Sequence, residues 1–201
     1  MVTAPVAGTA LPTITTVVNT TAGDVTWVQA TPQANVAASA AVDAVAAAAY
    51  DFSGFTDTTA VSITSVGGDN IKGAATQNLT VANTGGAVTA AGGLAQTINQ
   101  ASSGAVTSTG AKGAVTITEK TQTTSLISVD GGTDVNITTT ATTGQVSVGS
   151  NGAGVLTAAA KPTGAVTIKQ TIAGVTTADT AGGAVTVAGG TTVSVTQAAT
   201  Q

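Results

Sequence analysis

Three aspartates stand beside paired glycines, where oxygen-rich turns could bind a metal ion. Asp69 follows Gly67-Gly68, and Asp130 and Asp134 flank a second glycine pair. Ca²⁺ is commonly held by carboxylate and carbonyl oxygens in such turns. The calcium β-roll pattern Gly-Gly-x-Gly-x-Asp is incomplete here, and aspartate is also frequent in turns for its own hydrogen bonds. Asp69, Asp130 and Asp134 are therefore the metal candidates, and calcium is the one cofactor that the sequence suggests.

The remaining candidate acids are Glu119, which is the only glutamate, and Asp51 and Asp57, which flank Phe52 and Phe55. A glycosidase needs two carboxylates at a set separation in a cleft. The spacing of these residues predicts no such pair, so we interpret them as solvated acids in turns. No catalytic or cofactor-binding residue is predicted.

The residue types on which most enzymes rely are missing from this chain. Its 201 residues include no histidine and no cysteine, and because all five basic residues are lysines they include no arginine. Zinc sites with nitrogen or sulfur ligands, Cys or Ser-His nucleophiles and disulfides are thereby excluded. We expect a non-catalytic protein.

The charges argue against nucleic acid as a partner, and the short apolar runs argue against insertion into a membrane. The net charge is −4, whereas phosphate binding needs clustered basic groups. The longest apolar run, Ala44 to Tyr50, is far shorter than the roughly 20 residues of a spanning helix. The five lysines, Lys72, Lys112, Lys120, Lys161 and Lys169, are scattered along the chain. Lys112, Lys120, Lys161 and Lys169 are interpreted as solubilising surface charges and as guards of strand edges.

A recurring tetrad, Gly-(Ala or Gln)-Val-(Thr or Ser), dominates the architecture. Its copies begin at Gly86, Gly104, Gly113, Gly144, Gly164 and Gly183. The steps between successive copies are 18, 9, 31, 20 and 19, and 9 and 31 together make about two periods of 19 to 20. Short strands that repeat at such a period must stack on one another to bury an apolar face. The sequence predicts an all-β parallel β-solenoid with coils of about 19 residues, and a β-sandwich is the alternative.

Within each unit, apolar and hydroxylated residues alternate as in a half-buried strand. Val185, Val187, Val193 and Val195 are predicted to face the core, and a charge at Val195 is expected to prevent folding. Pairs of the form Thr-x-Thr, as at 116–118, characterise some ice-binding solenoids, but they do not recur at the coil period. The threonines are interpreted as a wettable outer face.

The N-terminal part of the chain, up to Asp57, differs from the rest in composition. It contains all the aromatic residues, Trp27, Tyr50, Phe52 and Phe55. An alanine-rich segment over 32–50 predicts a helix, with Thr31 as its N-cap and Pro32 at the first helical position. We expect residues 1–57 to cap the solenoid, or to form an ordinary coil with an inserted helix, and 58–201 to form the repeat domain, as part of a longer chain.

The segments Gly164–Ile168 and Gly182–Thr196, and Asp51–Phe55 leading into Val61–Thr64, resemble bacterial S-layer proteins and related repeat-rich surface adhesins. The resemblance spans roughly residues 51 to 201. It implies a secreted protein of the bacterial cell surface that assembles into lattices, frequently with calcium.

Composition and resemblance together predict a structural, self-assembling cell-surface protein, such as an S-layer or extracellular matrix component. Its main partners would be copies of itself, with cell-surface polysaccharide as a further candidate. The alternative function is an adhesin stalk or passenger module that binds glycan or another surface. In that case the aromatic residues between Trp27 and Phe55 would supply the sugar platform.

Overall fold

The computed structural model describes residues 48–55, 57–141, 143–149, 161–173 and 182–200. These residues form strands and turns. The strands are β1 (Ala48–Asp51), β2 (Ala60–Ser65), β3 (Asp69–Gly73), β4 (Asn78–Asn83), β5 (Val88–Gly92), β6 (Ala95–Gln100), β7 (Val106–Ala111), β8 (Val115–Gln122), β9 (Leu126–Gly131), β10 (Val135–Ala141), β11 (Gln145–Val148), β12 (Ala165–Ile172), β13 (Val185–Val187) and β14 (Thr192–Ala199).

The strands wind into a parallel β-solenoid. The odd-numbered strands form one seven-stranded sheet, here the odd sheet, and the even-numbered strands form a second, the even sheet. One coil is an odd strand followed by an even strand, and every strand pairs in parallel with those of the neighbouring coils. A sandwich of antiparallel hairpins is therefore excluded, and the predicted solenoid is confirmed.

The register confirms the predicted coil length through the first coils. Asp69 pairs with Val88, and Val88 pairs in turn with Val106, so these coils have the spacing that the repeat predicts. The last full turn of the odd sheet is about twice as long, because Val146 pairs with Val185. The tetrad also occurs on both sheets: Gly104 precedes β7 and Gly113 precedes β8, which explains the shortest step. The last two steps of the repeat run from Gly144 to Gly164 and from Gly164 to Gly183, and each leads from a strand of one sheet to a strand of the other. Each of these steps is therefore half a coil with a longer connection.

The core lies between the two sheets as columns of stacked side chains. Strand burial alternates, as in β2 and β3, because one face of each strand points inward. Isoleucine or valine occupies the central inward position of each even strand, and this column is Ile63, Val81, Ile98, Ile117, Ile137, Ile168 and Val195. Thin columns of this kind suit a chain rich in valine and alanine.

Glycine is required where the chain passes from the odd to the even sheet. Gly131 and Gly132 have φ angles of 92° and 86°, and Gly189 and Gly190 have 94° and 82°. Residues with side chains rarely adopt such angles. A Cβ on Gly132 would also lie 3.0 Å from Val115 Cγ2. The two glycine pairs therefore occupy equivalent turns, before β10 and before β14.

The N-terminal predictions fall mostly outside the described residues. The helix predicted over 32–50 lies there except for its last three residues, which belong to β1. Strand pairing begins with Ala48, ahead of the predicted start of the repeat domain at Thr58. The described residues include no helix with the length and apolarity needed to cross a membrane.

Candidate functional site

A column of polar side chains runs through the core at the end of the even strands. Each member stands two residues after an inward-facing apolar residue, in register with the member in the next coil. We call this set the corner column. Its members are Ser65, Asn83, Gln100, Glu119, Thr139, Gln170 and Gln197, and all but Gln197 are at most 1% exposed.

The corner column hydrogen-bonds the turns that lead from the even to the odd sheet. Gln170 Nε2 donates to Gly144 O at 2.8 Å, and Gly85 N donates to Asn83 Oδ1 at 3.2 Å. Buried backbone groups lose free energy when they have no partner. These buried side chains therefore hold the corner of each coil in place.

Glu119 is the one ionisable member of the corner column. Its Oε1 accepts a hydrogen bond from Ser125 Oγ at 3.3 Å, and its Oε2 receives none from any residue that the structure describes. Burial raises the pKa of Glu119 to about 7, and the bond from Ser125 opposes this shift. The interpretation of Glu119 as a solvated acid in a turn is wrong, because the residue lies within β8 and its side chain is 1% exposed.

The other two candidate acids lie far from Glu119 along the solenoid. Asp51 ends β1, three coils away, where it is exposed and forms an ion pair of 3.2 Å with Lys72. Hydrogen bonds from the Ser53 hydroxyl and amide, and then Lys72, lower the pKa of Asp51. Asp57 is half-buried in the loop before β2. The structure therefore does not bring Glu119 together with either aspartate, as a glycosidase mechanism would require.

The calcium candidates lie in three different environments. Asp69 begins β3, is 2% exposed and faces the core in register with Val88. Asp130 is half-buried in β9, where burial raises its pKa. Asp134 is exposed, and its Oδ1 accepts a hydrogen bond of 2.7 Å from the amide of Ala165. Within the described ranges, no three acidic, histidine or cysteine residues are close enough to hold a metal ion.

The lysines lie where surface charges are expected, but they do not guard an edge of either sheet. All five are exposed. Lys120 lies in β8 and Lys169 in β12, both of which pair with strands on either side. The edge strand β14 carries no charged residue. The prediction of surface charges is confirmed, and the prediction of edge guards is wrong for the described strands.

An aromatic cluster packs against the first coil. The rings of Tyr50 and Phe52 stack with centroids 6.4 Å apart, and Phe55 lies 6.3 Å from Phe52. Tyr50 and Phe52 also contact the core. The buried Gln77 holds this loop, because its Nε2 donates to Phe52 O at 3.1 Å and to Phe55 O at 2.7 Å. The described aromatic residues therefore cover the N-terminal end of the core.

Among the described strands, none covers the core beyond β14. Val193 and Val195 point in the predicted direction, in register with Val166 and Ile168. They are nevertheless 51% and 45% exposed, because β14 is the last strand of the even sheet. The prediction that a charge at Val195 would be buried is therefore wrong. This open strand, Thr192–Ala199, is called the open edge below.

The outer face of the even sheet carries a hydroxylated column. Its members are in register from coil to coil, and all but Asn136 have a hydroxyl group: Ser62, Thr80, Thr97, Thr116, Asn136, Thr167 and Ser194. The second position of the Thr-x-Thr pair is interrupted, for example by Ala82 and Lys169. A groove of about 260 Å³ lies beside this column, between Thr64 and Lys120. The expected wettable outer face is thus present.

Sequence reasoning missed the corner column. A signal was available, because Ile117 and Glu119, like Ile168 and Gln170, are two residues apart and so share a strand face. The interpretation of Glu119 as a turn residue ends the strand too early, before Glu119, whereas β8 continues to Gln122. The regular recurrence of a polar residue in the inward phase is what distinguishes a buried corner from a turn.

Known proteins offer no closer identification. A comparison with protein-family models found no match, and comparisons with curated proteins and with solved structures found none either. The fold and the geometry of the chain are therefore the basis on which a function can be proposed.

Proposed function

We propose that this chain is a non-catalytic structural protein of the bacterial cell surface that assembles with copies of itself, as a component of an S-layer or extracellular matrix. The open edge is the observation that carries this proposal. Within the part of the chain that the structure describes, β14 is paired on one side only and its inward valines are half exposed. Such edges pair readily with other chains.

The two ends of the even sheet differ in a way that favours association through one of them. At the β2 end, Val61 and Ile63 are 3% and 1% exposed, whereas Val193 and Val195 at the other end are about half exposed. Burying apolar surface contributes roughly 25 cal/mol per Å². Association that covers the two exposed valines is therefore favourable. Association through the β2 end would bury little apolar surface, because Val61 and Ile63 are already covered.

The backbone of the open edge is also prepared for pairing. Thr200 N donates to Ile172 O at 2.9 Å. Because successive residues of a strand direct their N–H and C=O groups to opposite sides, the groups of Val193, Val195 and Gln197 point away from β12. Soluble proteins usually block such an edge with charge, proline or a bulge, and β14 contains no charge and no proline.

Assembly is tested by negative-stain electron microscopy of the purified chain over a concentration series, with EGTA or with millimolar calcium. Sheets, fibres or paired rods that increase with concentration support the proposal. If calcium is required, the aspartate candidates become metal ligands. Particles that remain single short rods at every concentration, with and without calcium, would contradict self-assembly.

The second candidate function is an adhesin stalk or passenger module that binds glycan. The aromatic cluster favours it, since sugars stack on exposed aromatic rings, but Tyr50 and Phe52 are partly buried against the core. Trp27, which lies outside the described residues, would then be the platform. Glycan arrays with the wild-type chain and Trp27→Ala separate the two functions: binding that is lost in the variant favours the adhesin.

A further inference from the structure

Gln100 and Glu119 are neighbours in the corner column, and each has a buried oxygen to which no described hydrogen-bond donor points. The two residues are in register on β6 and β8, and paired residues on parallel strands lie about 4.8 Å apart. Each is 1% exposed. Gln100 Oε1 and Glu119 Oε2 are both buried acceptors that receive no hydrogen bond from the described part of the chain.

The orientation of Gln100 is determined by its partners. Its amide nitrogen donates to the carbonyl oxygen of Gly86 and to Ser102 Oγ. The Gly86 carbonyl can only accept, so the nitrogen must face it, and Oε1 is the end of the amide that remains for another partner. Gln100 therefore offers Glu119 an acceptor and no donor.

The other polar groups around Glu119 are committed to other partners. Gln122 Nε2 donates to Ser125 O and Gln145 O, both at 2.8 Å. The hydroxyl of Thr139, in register on the next coil, donates to Gln122 Oε1 at 2.9 Å. An ionised Glu119 would thus depend on the single bond from Ser125, which is too little for a buried carboxylate.

We propose that Glu119 binds a proton in the folded protein and that its Oε2–H group donates a hydrogen bond to Gln100 Oε1. One proton satisfies both orphan acceptors, because a protonated carboxyl is a donor as well as an acceptor. A metal ion fits less well, since Ca²⁺ requires six to eight oxygen ligands. The raised pKa of Glu119 is consistent with this state.

No charged side chain faces Glu119 from the strands packed around it, as far as the structure describes them. β6, β7 and β10 contain no ionisable residue. Asp130 on β9 lies at the far end of that strand, and Lys120 on β8 points outward. The buried Asp69 is two coils away, roughly 10 Å along the solenoid. The proton on Glu119 is therefore the local means of balancing charge.

The proton makes the solenoid sensitive to pH near neutrality. Above the folded pKa, Glu119 must ionise in the core or the corner must open. In the unfolded chain the same carboxyl ionises near pH 4.5. Folding therefore takes up a proton between these values. This goes beyond self-assembly, and it holds whether or not the chain associates.

The test uses the fact that Glu119 is the only glutamate. In the full chain labelled with ¹³C at glutamate, one carboxyl resonance reports its titration, and folding is checked by circular dichroism at each pH. We expect a midpoint at least one pH unit above that of an ordinary glutamate. A midpoint near the ordinary value would overturn the proposal.

Gln100→Met separates a shared proton from simple burial. Removing the acceptor destabilises the protonated carboxyl, so the midpoint should fall in the folded variant. An unchanged or higher midpoint would mean that burial alone holds the proton, and the pairing with Gln100 would be wrong. Thr139→Val, on the opposite neighbour, should leave the midpoint closer to wild type than Gln100→Met does.

Discussion

Ile168 and Val195 occupy the same core position on neighbouring strands, but only one of them is enclosed. They are direct partners in the pairing of β12 with β14, and their exposed fractions are 0% and 45%. The difference arises because β14 covers Ile168, whereas no described strand covers Val195. The core thus changes from closed to open within one strand spacing.

The same charge should have very different effects at these two positions. We expect Ile168→Asp to destabilise the chain by more than about 3 kcal/mol, because it buries an unpaired charge. Val195→Asp should cost about 1 kcal/mol or less. Thermal unfolding followed by circular dichroism measures both. Equal destabilisation by the two variants would show that Val195 is enclosed after all.

Stability should fall as the pH rises toward neutrality. The folded pKa of Glu119 is raised from 4.5 to about 7, so the folded state holds a proton that the unfolded state has released. The loss begins above the unfolded pKa and is complete above the folded pKa. It amounts to at most about 3.5 kcal/mol, at roughly 1.4 kcal/mol per pKa unit.

Glu119→Gln is the matched variant for this pH effect. Its amide can donate to Gln100 at every pH, so its stability should lack this decline and should exceed that of wild type at pH 8. Denaturant unfolding at pH 5 and pH 8 gives both values. If the wild-type chain is as stable at pH 8 as at pH 5, or more stable, the prediction is contradicted.

Gln77 should be essential for the N-terminal end of the solenoid. Its side chain is 0% exposed, donates to two carbonyls in the aromatic loop and accepts a bond of 2.8 Å from Ala74 N. Gln77→Ala leaves these buried groups unsatisfied and should cost about 1–3 kcal/mol. Asn78→Ala, next to it and exposed, is the control. Comparable unfolding of both variants would refute the role.

Gly132 should be intolerant of any side chain. It combines a φ of 86° with a close contact for an added Cβ, so we expect Gly132→Ala to cost about 1–2 kcal/mol. Gly54, whose added Cβ would meet nothing within 4 Å, is the control position. A Gly132→Ala chain as stable as Gly54→Ala would argue against the turn geometry.

The repeat and its alternation were enough to predict the solenoid. A tetrad such as Gly164–Thr167 specifies a turn followed by a strand, and near-identical tetrads at a regular spacing favour stacked coils over a β-sandwich. Coil length was harder to predict, because the same tetrad begins strands on both sheets. Gly104 and Gly113 therefore belong to one coil and not to two.

The polar interior could not be predicted from residue type. A glutamate two residues after Ile117 is compatible with a buried corner or with an exposed strand end, and the choice depends on which turn carbonyls lie opposite. The openness of the core at Val195 is likewise a property of its neighbours. Alternation predicts that Val195 points inward, but only the strand order determines what covers it.

Sedimentation velocity over a concentration series, with wild type, Val195→Lys and Ser194→Lys, tests self-association through the open edge most directly. The two variants place the same charge on adjacent residues of β14, inward at 195 and outward at 194. We expect wild type and Ser194→Lys to associate as concentration rises and Val195→Lys to remain monomeric while folded. Unchanged association of Val195→Lys, or a wild-type chain that stays monomeric at every concentration, would contradict self-association through the open edge.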